Sequence, residues 1–229
     1  MNKQRALPRV LPFALFMGVI GLEELAGFLR EVGALQFDPR NLMFLYPAKV
    51  LLAGLAMVFF RSRYGELRGR DVAVLPQTAL SVAVGMLVFV LWINMDWTLA
   101  VAGRPAGFNP AAFENPALKT TMTVTRFVGA AAVVPVMEEL FWRSFLIRYL
   151  IGKDFSKVPI GQFTWMSFLA TSVLFGLEHH LFLAGVMAGA AYNAVLYKTR
   201  SISQCVLAHA VTNCALALYV LATGQWRFW

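Results

Sequence analysis

The chain has 229 residues, of which 59% are hydrophobic and only 14% charged, with a mean hydropathy of +0.64. A soluble domain averages about 45–50% apolar and about 25% charged residues, so a disordered chain, a nucleic-acid-binding domain and a disulfide scaffold all fit poorly. The net charge of +8 points to no nucleic-acid partner, because Lys and Arg of membrane proteins collect in the loops that stay on the cytoplasmic side.

Apolar runs long enough to cross a bilayer, at about 20 residues each, begin near Leu7, Met43, Val72, Arg126, Val158, Phe182 and Ile202. They predict an all-α polytopic bundle of about 7–8 transmembrane helices, one integral membrane domain embedded in the lipid bilayer. Residues 1–125 form its N-terminal helices and a connecting loop, and residues 126–229 its C-terminal core. Basic residues precede the first run and no small-residue cleavage site follows it, so that run reads as a span rather than a removable signal. Lys and Arg crowd the N-terminus and the second, fourth and sixth connections, which puts the N-terminus in the cytoplasm. An eighth helix, or a segment lying in the interface plane, could occupy Phe108 to Thr125. Trp92, Trp97, Trp226 and Trp229 stand at run ends, as aromatic belt residues do. Gly185 and Gly189 give the sixth run a small-residue face that admits a close neighbour. Cys205 and Cys214 are too far apart on one helix to pair.

A charge at mid-bilayer costs about 2.5–3.5 kcal/mol on insertion scales, so each one needs a reason. The fourth run contains Glu138-Glu139-Leu-Phe-Trp-Arg143, in which Glu139 and Arg143 are i,i+4 and can pair while Glu138 points elsewhere. The fifth ends in Phe175-Gly-Leu-Glu178-His179-His180. The seventh carries His209 and Asn213, again i,i+4 and on one face. Taken singly, these are a Glu–Arg helix pair, a run-end histidine and an interhelical hydrogen bond. Together they supply a general base, a second proton carrier and donors for an oxyanion, the parts of a water-activating site. Other polar residues have local readings. Glu178 belongs at the helix mouth, Glu23-Glu24 at an interfacial helix end, and Lys49 snorkels. Cys205 is a small buried thiol.

EExxxR, FxxxH and HxxxN, in that order on successive late runs, resemble the CPBP (CAAX protease and bacteriocin-processing, Abi) family of intramembrane proteases. That family includes the type II CAAX prenyl endopeptidases, the Ras-converting enzymes. The resemblance covers about Arg126 to Thr223. The strings Pro135-Val-Met-Glu-Glu-Leu-Phe-Trp-Arg-Ser, Ala208-His-Ala-Val-Thr-Asn and Trp226-Arg-Phe-Trp229 are similar to the bacterial CAAX prenyl protease-related proteins found with exosortase and PEP-CTERM sorting systems. The resemblance implies that Glu138 and His179 activate the attacking water, that His209 and Asn213 stabilise the oxyanion, and that Glu139 and Arg143 are a supporting pair. It implies a membrane-associated protein or peptide substrate, an exosortase/PEP-CTERM context, and a multi-pass protein of the bacterial inner membrane. HExxH is absent, which excludes a zincin helix. The expectation is catalysis without a cofactor. The alternative is zinc on Glu138, His179 and His209.

Other functions could use the same residues: a proton- or ion-coupled transporter with a buried relay, or a non-catalytic membrane scaffold. The polar residues crowd into the C-terminal half, without the symmetry between halves that transporters show. Depth raises one conflict. A fifth span starting at Val158 carries His179 to the far face while Glu138 and His209 sit nearer the middle; a start at Trp165 would remove the mismatch.

Overall fold

The computed structural model describes residues 3–97 and 107–229, and among them the regular structure is helical. Seven helices make up the bundle: α1 (Lys3–Glu31), α2 (Leu45–Phe59), α3 (Leu75–Ile93), α4 (Pro116–Tyr149), α5 (Trp165–Leu177), α6 (Phe182–Thr199) and α7 (Ile202–Thr223). Of these α1, α2, α3, α4 and α7 are long and apolar enough to cross a membrane, α2 counted with the helical turn from Pro39 that leads into it. The all-helical membrane bundle expected from composition is the architecture observed.

Local chemistry sets the ends. Asn115 accepts from the N–H groups of Ala117 and Leu118 and is followed by Pro116, a strong helix start. Thr164 caps α5 through the Ser167 N–H. Ser201 caps α7 through the Gln204 N–H, and Gly224 closes it at φ +68°, the left-handed conformation that glycine adopts without penalty.

Two boundaries differ from the sequence reading, and both matter for the site. The fourth helix starts at Pro116 rather than Arg126, so the segment read as a possible eighth helix is largely the first turns of α4. Its Thr and Lys residues hid it from a hydropathy reading. The fifth helix starts at Trp165 rather than Val158. Its 13 residues span about 20 Å, less than the roughly 30 Å hydrocarbon core. The turn that follows, with Glu178 and His179, therefore ends inside the bundle rather than at its far face.

The α5–α6 hairpin is tight because both helices lack side-chain bulk where they meet. A Cβ on Gly176 would come within 2.8 Å of the Phe182 carbonyl oxygen, and one on Gly185 within 2.8 Å of Gly176 Cα. Gly189 approaches Ser172 in the same way, so the small face expected on α6 is the face against α5. Helix α3 packs on α6 and α7, and α1 on α2.

Three local readings are corrected. Lys49 does not snorkel: it is buried and pairs with Glu23 of α1 at 3.0 Å, its ammonium 5.4 Å from the Phe16 ring. Trp92 packs into the bundle rather than standing in a belt, its ring T-shaped to that of His179 with 5.3 Å between centroids. Trp229 is buried in a cluster with Phe108 and Phe228.

Candidate active site

Helix α4 departs from α-helical winding twice, over Gly129–Val133 and over Leu140–Leu146, where the turns are π-helical. Such wide turns leave carbonyls without their usual partners and cluster at functional sites. Glu138 and Glu139 lie on the short α-helical stretch between them.

Glu139 is fully buried, and its Oε1 accepts from Arg143 Nη1 at 3.1 Å and from His209 Nδ1 at 3.0 Å. The i,i+4 pair foreseen in the sequence is thus formed. Arg143, 1% exposed, also donates from Nε to Asn193 Oδ1 at 3.2 Å and from Nη2 to the Gly189 carbonyl at 3.0 Å. Asn193 in turn donates to Thr171 and Ser172 of α5. One guanidinium therefore ties α4 to α6, and through Asn193 to α5. The faces of Phe175 and Tyr192 lie 4.7 and 5.4 Å from it. A planar fork with several fixed donors suits this duty; a lysine would not reach three acceptors.

His209 is oriented from two sides. Its ring stacks on Tyr192 at 4.8 Å, and Glu139, already accepting from Arg143, takes the Nδ1 proton. Nε2 then points towards Glu138, 4.0 Å from Oε2. His179 is fixed in the same manner: its Nδ1 lies 2.7 Å from the Phe175 carbonyl oxygen. A carbonyl can only accept, so Nδ1 carries the hydrogen and a neutral ring presents the Nε2 lone pair. Phe175 bridges the two imidazoles, 4.9 Å from one and 6.0 Å from the other.

Glu138, Glu178 and His179 converge, with one oxygen or nitrogen of each within 4.8 Å of the others. Trp142 Nε1 donates to Glu178 Oε1 at 3.0 Å. The Oε2 atoms of Glu138 and Glu178 are buried without a hydrogen-bond partner. Buried carboxylate oxygens rarely stay unsatisfied, so these two mark where a water, a substrate or a cation belongs. Glu178 is therefore a wall of the site, not a residue of the helix mouth. The sequence signal that could have found it is a short α5: a 13-residue helix cannot carry its last residues to the far side.

The structure thus brings Glu138, Glu139, Arg143, His179 and His209 together. Asn213 stands one turn beyond His209 on α7, and its Nδ2 donates to the Ala130 carbonyl at 2.8 Å. The histidine next to His179, His180, is exposed. Cys205 is a buried thiol lying against the carbonyls of Ser201 and Tyr192.

Residues 120–215 match the family model of the Rce1-like type II CAAX prenyl endopeptidases. This is the segment that contributes every residue of the carboxylate–imidazole cluster. The match supports a CAAX-protease-like endopeptidase that works within the membrane. No curated protein and no solved structure matches the chain.

Proposed function

We propose that this protein hydrolyses a peptide bond of a membrane-associated protein, with Glu138 and His179 activating the water and His209 and Asn213 stabilising the oxyanion. The observation that carries the reading is the meeting of carboxylates from α4, an imidazole from the α5–α6 turn and an imidazole from α7 around unsatisfied buried oxygens.

The chemistry follows from the donors and acceptors. A water between Glu138 and His179 gives a proton to the Glu138 carboxylate as its oxygen bonds to the scissile carbon, and the carbonyl electrons move onto oxygen. Nε2 of His209 faces the same space as Glu138 and donates to that oxyanion once the ring, whose Nδ1 hydrogen Glu139 holds, takes up a second proton. Asn213 uses one of its two amide hydrogens on Ala130 and keeps the other for the same oxygen. When the intermediate collapses, the C–N bond breaks and Glu138 passes its proton to the leaving amine. Glu178 holds the water from the other side. Such positioned acid–base groups contribute about 10²–10⁴-fold each.

The donor set also fits a zinc ion. Glu138, Glu178 and His179 would hold it, Glu178 standing in place of His209 in the expected ligand set. Bound there, zinc would supply a Lewis acid that eases loss of a proton from water. The proton transfers above need none, and catalysis without a metal is the reading adopted.

The substrate class we propose is a membrane-tethered protein awaiting sorting or maturation. A cytoplasmic N-terminus goes with this reading, and the side chains of Arg5, Arg9, Arg63 and Arg68 that line one cavity support it. The test is cleavage of a lipidated or membrane-anchored peptide library in liposomes by wild type, Glu138→Gln, His179→Ala and His209→Ala. Loss of hydrolysis in all three folded variants is expected. Full activity in Glu138→Gln, or solute flux without cleavage, would overturn the reading. Loss of cleavage in chelator with recovery in zinc would replace the metal-free version by the zinc one.

A further inference from the structure

At the end of the bundle where α1 begins and α2 and α4 finish, a cavity of about 420 Å³ is lined by five guanidiniums, those of Arg5, Arg9, Arg63, Arg68 and Arg148. One carboxylate stands in the same wall, that of Glu66. It is already engaged: Arg9 grips both its oxygens, at 2.6 and 2.7 Å, and Ser144 Oγ donates to one of them. Four cations in the wall are left without a carboxylate there.

Arg148 is the most telling of them. It is only 8% exposed, and its Nε and Nη1 donate to the carbonyls of Val158 and Ser144, each at 2.9 Å. Two neutral acceptors orient the guanidinium without cancelling its charge; the carboxylate acting on it, Glu66, is already gripped by Arg9, and a buried cation compensated only in part is costly. Its plane also lies over Phe155, 5.3 Å from the ring centre. Arg5 and Arg68 reach the cavity from the exposed rim, bonded to Ser156 Oγ and to the Gly65 carbonyl. Several guanidiniums facing one space, each with N–H groups to spare, match the oxygens of a phosphate, which arginine binds through paired hydrogen bonds.

The surroundings extend the argument to lipid. Pro8, Phe155 and Ile160 supply the apolar part of the wall, and Leu7 beside it on α1 is half exposed on the outer surface of the bundle. Basic pockets between transmembrane helices at a cytoplasmic surface receive anionic headgroups. We propose that this cavity binds a phosphate group, supplied by the headgroup of an anionic phospholipid or by free phosphate. It is separate from the carboxylate–imidazole cluster and does not depend on the endopeptidase reading.

The test uses the purified full-length chain in neutral detergent, with bound lipid read by native mass spectrometry and unfolding followed by heating. Phosphatidylglycerol, diacylglycerol lacking the phosphate, and sodium phosphate at matched ionic strength form the three arms. Arg5→Gln with Arg68→Gln removes two exposed rim cations and leaves the fold intact; Arg148→Gln removes the buried one. Phosphatidylglycerol is expected to bind and raise the midpoint more than diacylglycerol, with apparent affinity falling about tenfold or more in the double variant. Stabilisation by phosphate alone, lost in the same variant, would assign the site to the free anion. The proposal is overturned if diacylglycerol matches phosphatidylglycerol, or if the double variant responds to every arm as wild type does. Should Arg148→Gln fail to fold, the double variant still decides.

Discussion

The side-chain amide of Asn213 donates to the backbone carbonyl of Ala130, 2.8 Å away on another helix. The bond exists because α4 cannot satisfy that carbonyl itself. In the wide turn over Gly129–Val133, the Val134 N–H goes to the Gly129 oxygen, and the next residue, Pro135, has no N–H to offer. Asn213 thus closes a gap made by Pro135, and it fixes the depth of α7 against α4.

Asn213→Ala leaves that oxygen buried and unpaired, which costs about 1–3 kcal/mol. Thermal or denaturant unfolding of the detergent-solubilised chain should show that loss, together with a fall in cleavage. Pro135→Ala supplies an N–H within reach of the Ala130 carbonyl. In that background the penalty of Asn213→Ala should shrink by a large part, a coupling that a double-mutant cycle measures. Equal penalties in the two backgrounds would mean that Pro135 is not what leaves the Ala130 carbonyl in need of the amide.

Arg143 supports a second expectation. Removing it strands the Glu139 carboxylate, which is fully buried, and breaking a buried pair from one side costs about 3–5 kcal/mol. Arg143→Ala should therefore lower expression and the unfolding midpoint sharply. Arg143→Lys keeps the charge but not the three separate acceptors on Glu139, Asn193 and Gly189. It should fold and still lose activity, because His209 and the α6 contact are no longer held in register. A lysine variant with wild-type turnover would reduce Arg143 to a counter-ion.

What the sequence discloses and what it hides divides along a physical line. Contacts one helical turn apart are legible from spacing, and so Glu139–Arg143 and the shared face of His209 and Asn213 could be read directly. Contacts between helices are not: Lys49–Glu23 and Trp92–His179 join positions far apart in the chain, and hydropathy is blind to both. The depth of Glu178 depends on the length of α5, which ends at Leu177 after 13 residues and which the longer apolar run overstates. The start of α4 had a signal that polarity masked, since Asn115-Pro116 is a cap followed by a first-turn proline.

Glu178 gives a third expectation. Glu178→Gln preserves the acceptor for Trp142 Nε1, so the unfolding midpoint should stay near that of wild type. Hydrolysis should drop by about 10²-fold, in the range of a lost acid–base or water-holding group. Unchanged turnover would make Glu178 an inert wall, whereas a midpoint that falls with the activity would make it a packing residue.

Glu66, in the connection between α2 and α3, gives the pH dependence. Burial alone would raise its carboxyl, but hydrogen bonds from Arg9 and Ser144 and the charge of Arg9 outweigh it and hold the group below its ordinary value. A carboxyl lowered by folding stabilises the native state at pH values above the unfolded value of about 4.3, and that contribution disappears as pH falls through the folded value. The wild-type unfolding midpoint should therefore drop steeply below about pH 4.5. Glu66→Gln cannot titrate, so its curve should start lower at neutral pH and flatten towards the acid end, the two curves converging. The difference between them, measured by scanning unfolding from neutral to acidic buffers, isolates the Arg9–Glu66 pair that joins the start of α1 to the end of α4 through Ser144. Parallel curves at all pH values would show that the pair is not what secures this end of the bundle.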